Sequence, residues 1–135
     1  MKQHFQILII GGGNAGISLS AQLFRQDATL DIGILDPSEK HYYQPAWTLV
    51  GGGTFDINAT ERPQAEVMPK QATWIKEAAA TFEPEQHTVV TTVGTRYTYD
   101  YLVVCPGIQL DWHKIKGLEG NLGKNGITSN YLFQM

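Results

Sequence analysis

The stretch ILIIGGGNAG, residues 7–16, limits the possible folds of this chain more than any other. An apolar run rich in Ile and Leu that stops at three glycines reads as a strand buried on both faces, here His4 to Ile10, closed by Gly11. From Asn14 to about Gln26, Ala15, Ile17, Leu19, Leu23 and Phe24 recur at near-helical spacing, with Asn or Ser at hand to satisfy the first turn. A second β-rich run, Leu30 to Leu35, stops at Asp36 and Pro37. Strand, glycine turn, helix and strand make a βαβ unit. Its strands lie parallel, and the right-handed crossover brings the helix N-terminus to the end of the first strand.

Within this unit Gly11, Gly13 and Gly16 fall at the Gly-x-Gly-x-x-Gly spacing of a dinucleotide cradle. Gly11 permits a tight turn, Gly13 lets the backbone approach a pyrophosphate, and Gly16 lets helix and strand pack closely. The N–H groups and positive dipole end at Asn14 and Ala15 would hold the phosphate charge. Glycine-rich turns are common, so the spacing alone is weak. Asp36, about 20 residues past the last glycine, strengthens it, because a carboxylate there can accept hydrogen bonds from both hydroxyls of an adenosine ribose. Asp36 before Pro37 is also a turn starter, and that reading stays open. An acid at this position disfavours a 2′-phosphate, hence NADP.

Composition excludes other classes. With 135 residues the chain has room for one domain. Ten basic against 13 acidic residues, net −3, leave no footprint for a nucleic-acid backbone. Lys114, Lys116 and Lys124, interrupted by glycines and Glu119, read as a solvated loop. No apolar run approaches the roughly 18 residues of a membrane-spanning helix, and MKQHFQ is not a signal peptide, so a cytoplasmic location is expected. Cys105 is the single cysteine and follows an apolar run, which favours a small buried thiol over a redox nucleophile. His4, His41, His87 and His113 are scattered, so no metal site is expected, and no residue is assigned a catalytic role. Glu83 and Glu85 flank Pro84 in an expected solvent-facing hairpin turn, and Asp56 to Lys70 reads as loop with at most a short helix.

The segment SEKHYYQPAWTLVGGG departs from a simple nicotinamide-binding domain, which would continue into another short helix and a parallel strand. Its flat side chains, Tyr42, Tyr43 and Trp47 among them, suit either packing near an extended ring system or a core corner or subunit contact.

GGGNAGISLSAQL, ILDPSEKHYYQPAWTLVGGG, WIKEAAATFEPEQHTV, YDYLVVCPGIQLDWHKIKGL and GITSNY together resemble the N-terminal part of sulfide:quinone oxidoreductases, within the two-dinucleotide-binding-domain flavoprotein superfamily. The resemblance covers nearly the whole chain. It implies an α/β fold: a Rossmann-like FAD-binding half-domain, with a parallel sheet rejoined near residues 101–105 and a small antiparallel crossover sheet over about 73–99. It implies FAD as cofactor, its ADP half on Gly11, Gly13, Asn14, Ala15, Gly16 and Asp36. It further implies that Gln44 and Pro45 lie along the FAD, that the backbone of Ala79 touches the adenine, and that Gly107 sits under the pyrophosphate.

The chain also departs from that pattern. Cys105 and Pro106 replace a commoner Ala-Thr before Gly107, and Pro106 removes a backbone donor. Some relatives place a redox cysteine near Thr128, Ser129 and Asn130, where none stands here. Complete members are roughly three times this length, so residues 1–135 read as a truncated FAD-binding domain.

The resemblance therefore implies a parent oxidoreductase passing electrons from sulfide to flavin to quinone, peripheral at the membrane, with this chain alone inactive. One alternative is a non-catalytic dinucleotide-binding remnant or module, associating with its own copies through surface that missing parts would cover. Another is a fragment of a type II NADH:quinone reductase or a flavocytochrome sulfide dehydrogenase.

Overall fold

A computed structural model describes residues 2–133 as two compact units, one running to His41 and resuming over Arg62–Gly107, the other holding Tyr42–Glu61 and the residues from Ile108 on. The first unit is built on β1 (His4–Ile10), α1 (Asn14–Gln26) and β2 (Ile32–Leu35). β1 pairs parallel with β2, with Ile9 beside Ile34 and Ile10 beside Leu35. The expected strand start at Leu30 is two residues early, although the Asp31 carbonyl already accepts the Ile7 N–H at 3.0 Å.

Four short elements follow: β3 (Lys40–Tyr42), α2 (Trp47–Gly51), β4 (Glu61–Pro63) and α3 (Gln64–Val67). β3 and β4 pair as a separate two-stranded ribbon. The chain then adds β5 (Thr73–Ile75), β6 (Ala79–Glu83), β7 (Thr88–Thr91) and β8 (Arg96–Val104) to the main sheet. The order is β5-β2-β1-β8-β7-β6. β8 is the junction. It pairs parallel with β1 along its length and antiparallel with β7 at its start, so the parallel and antiparallel parts are one continuous sheet. β5 runs parallel to β2, and antiparallel pairing begins only at Ala79 instead of at residue 73.

The fold class expected from the sequence is borne out: a Rossmann-like α/β arrangement of mostly parallel strands with an antiparallel extension. Burial explains why the end of β1 reads as an unbroken apolar run, Ile7 to Ile10. Leu8 and Ile10 pack on one face with Leu35, Ile75 and Val89, while Ile9 packs on the other with Ile32, Ile34 and Phe24 of α1.

The second unit has its own small core. Trp47, 8% exposed, donates its indole N–H to Thr60 Oγ1 at 3.0 Å, and its ring meets Tyr42 edge-on at 6.0 Å. Tyr42 in turn lies 4.8 Å from the Phe133 ring. Within the aromatic segment Tyr42 and Trp47 thus pack into this small core, whereas Tyr43 is exposed.

Candidate functional site

At the C-terminal ends of β1, β2 and β8 the first unit carries a cleft of about 510 Å³. Connections leave β1 toward β2 on one side and return as β8 on the other, so this is the point where strand order reverses and open α/β sheets bind ligands. Its volume lies in the range of small-molecule sites, about 300–1,000 Å³. The walls are mostly apolar, with Ile10, Leu35, Ala79, Phe82 and Val104, and the one ionisable residue lining it is Asp36.

The three fingerprint glycines have three different local environments. Gly11 lines the cleft at φ +100°, and a Cβ there would stand 2.1 Å from the Cys105 carbonyl oxygen. No residue with a side chain fits that approach. A Cβ on Gly16 would stand 2.0 Å from the Gly11 oxygen and 3.2 Å from the Ile9 side chain of β1, so glycine there lets the helix start approach the end of the strand closely. A Cβ on Gly13 would meet nothing within 4 Å. Packing therefore does not require Gly13 to be glycine, whereas a ligand lying against the backbone would.

Gly13 is also the N-cap of α1, with no side-chain cap. Instead of closing the first turn, as the sequence suggested, the Asn14 side chain meets His41, with Oδ1 3.0 Å from Nε2. The first helical bond runs from the Ile17 N–H to the Gly13 oxygen. The N–H groups of Asn14 and Ala15 precede it and remain as donors at the positive end of the dipole.

Asp36 starts the turn weighed for it and, in addition, ties that turn to the glycine loop. Oδ1 accepts the Ser38 N–H at 2.8 Å, forming the turn over Pro37. Oδ2 accepts the Gly12 N–H at 2.5 Å, tying the carboxylate to the glycine turn. Its main chain is fixed as well, by an N–H to the Ile75 oxygen and a carbonyl that takes the Trp74 indole N–H at 2.8 Å. A carboxylate has about four lone-pair sites, so two remain for a ligand.

Ala79 opens β6 and lines the cleft next to Ala78. Gly107, at φ +76°, lies three residues past β8 and is exposed; its neighbour Pro106 reaches the cleft wall. Cys105 is half-buried, less enclosed than expected, with its N–H bonded to the Ile10 oxygen at 2.7 Å. Gln44 and Pro45 form a short 3-10 turn, Gln44–Ala46, in the second unit, the former half-buried and the latter exposed.

Two contributors escaped the sequence reading. Gly12 has its N–H on Asp36, and Gln64, at the start of α3, donates Nε2–H to the Gly12 oxygen at 2.7 Å. Gln64 is 1% exposed. Its only signal was a polar residue directly after Pro63, within a stretch read as loop.

Comparison with known proteins follows the same lines. Residues 5–134 match the family described as pyridine nucleotide-disulphide oxidoreductase. The chain is 48% identical to the mitochondrial sulfide:quinone oxidoreductase of Dictyostelium discoideum, covering 98% of this chain and 30% of that protein. It is 38% identical to the corresponding protein of Mus musculus, over 96% of this chain and 29% of the relative. The solved sulfide:quinone oxidoreductase of Aquifex aeolicus superposes with a TM-score of 0.68 at 29% identity, over 87% of this chain and 26% of the other. NADH:rubredoxin oxidoreductase of Clostridium acetobutylicum, TM-score 0.59, 22% identity, and 80% and 29% coverage, shares the fold. The chain thus spans about 30% of the length of the curated relatives it matches.

Proposed function

The chain belongs to the pyridine nucleotide-disulphide oxidoreductase family, and on that premise we propose that it is the FAD-binding N-terminal portion of a sulfide:quinone oxidoreductase-like flavoprotein. The observation that carries this reading is Gly13, open on the side where a Cβ would stand, in a turn that also borders an apolar cleft with one carboxylate. The residues fit an adenosine diphosphate. Gly13, Asn14 and Ala15 take the pyrophosphate at the helix N-terminus, Asp36 takes the ribose hydroxyls, and Gly11 and Gly16 give the turn its shape. The apolar walls suit the adenine, with Ala79 offering main-chain polar groups. Gln44 and Pro45 would lie along the flavin half, and Gly107 would support the pyrophosphate.

When bound, FAD supplies a two-electron acceptor that can release electrons singly or in pairs. This chain's own contribution is binding and orientation, since its single cysteine offers no thiol pair. In the whole protein, sulfide as donor and quinone as acceptor are carried by the similarity to the Dictyostelium and mouse relatives. Reaching a quinone would place the whole protein at a membrane surface; no helix among the described residues is long and apolar enough to cross one.

Reconstitution tests this reading. Purified protein mixed with excess FAD and then desalted should be yellow and retain close to one flavin per chain. A chain that retains no flavin and shows no saturable FAD binding by titration would refute it.

A further inference from the structure

We infer that Gln64 is a positioning residue for the glycine turn: it fixes the Gly12–Gly13 peptide so that the Gly13 N–H is presented to a diphosphate. The inference rests on the dinucleotide reading above and adds to it a residue outside the fingerprint.

Both main-chain polar groups of Gly12 are engaged. Its N–H donates to Asp36 Oδ2 at 2.5 Å, and its carbonyl accepts from Gln64 Nε2 at 2.7 Å. No peptide bond among the described residues is cis, so the Gly12 carbonyl and the Gly13 N–H point in opposite directions across one rigid plane. Holding the carbonyl on Gln64 therefore aims the Gly13 N–H away from Gln64. Among the described residues that N–H meets no acceptor, and a Cβ on Gly13 would meet nothing within 4 Å. The turn thus keeps one donor unspent.

The chemistry of Gln64 matches the task. Its neutral amide is 1% exposed, and burying such a group is costly unless it is bonded. Its backbone is anchored separately, the N–H on the Glu39 oxygen at 2.8 Å. An unheld glycine peptide would sample both orientations, and binding would then have to order it. A Cβ on Gly12 would stand 2.5 Å from Gln64 Nε2, so glycine at position 12 is what lets the amide approach.

The test titrates the wild type, Gln64→Leu and Gln64→Asn with ADP and with adenosine, and records melting curves without ligand. Asn keeps the polar group but is one methylene too short to reach the Gly12 oxygen, so it carries the test if the Leu variant does not fold. ADP affinity should fall about tenfold in the variants, while adenosine affinity, which involves no phosphate, changes by less than about twofold. An equal loss for both ligands, or unchanged ADP affinity in a folded variant, overturns the role of Gln64 and leaves the dinucleotide reading standing. A wild type that binds neither ligand overturns both.

Discussion

At the scale of single residues, the glycine fingerprint separates into positions that packing requires to be glycine, Gly11 and Gly16, and one, Gly13, that packing leaves open. Gly11→Ala forces a side chain into φ +100° and against the Cys105 carbonyl, and should destabilise the protein by roughly 3 kcal/mol or more in urea unfolding. Gly13→Ala has open space and an extended φ of −73°, so its stability should change by less than about 1 kcal/mol while ADP or FAD affinity is lost. A Gly13→Ala protein that melts normally and binds ADP as tightly as wild type would contradict the cradle. Asp36→Ala should affect both properties, costing about 1–3 kcal/mol of stability as well as affinity, because the Gly12 and Ser38 N–H groups lose their acceptor. The sequence made Gly11, Gly13, Gly16 and Asp36 legible because spacing along the chain encodes them. Gln64 was not legible, since its bond joins residues 52 positions apart and no local period marks it.

At the scale of elements, the βαβ unit followed from pattern almost to the residue, as β1 is buried on both faces and α1 turns Leu19, Leu23 and Phe24 toward the sheet. β5 was harder to read. A three-residue strand, Thr73–Ile75, has too short a pattern to name its neighbour, and only the sheet order shows it beside β2. The antiparallel extension carries its own electrostatic support. Arg96 at the start of β8 hydrogen-bonds Glu83 at the end of β6, one contact being 3.1 Å, and holds that carboxyl below its ordinary value near 4.5. A depressed folded value means the pair supports the fold above the ordinary carboxylate range and loses that support as pH falls through the depressed value. Urea midpoints measured from about pH 6 down to pH 3 should therefore decline less steeply in Glu83→Gln than in wild type. Identical slopes would show that this exposed pair contributes nothing, as many surface pairs do.

At the scale of the whole molecule, one sheet with a reversed strand order produces the cleft, and the glycine turn and Asp36 are both placed at its rim by the strand ends they terminate. The grouping of Tyr42–Glu61 with the residues after Gly107 in a second compact unit was not legible, because composition sees one chain length and not which distant segments pack together. The chain matches about 30% of its curated relatives, so the part tested most directly is the ADP half of the cofactor site. The decisive measurement is a titration of isotopically labelled protein with ADP, followed by backbone amide chemical shifts. Saturable shifts should concentrate at Gly11, Gly13, Asn14, Ala15, Asp36 and Ala79. Shifts that never saturate, or that concentrate around Trp47 and Thr60 instead, would contradict the site.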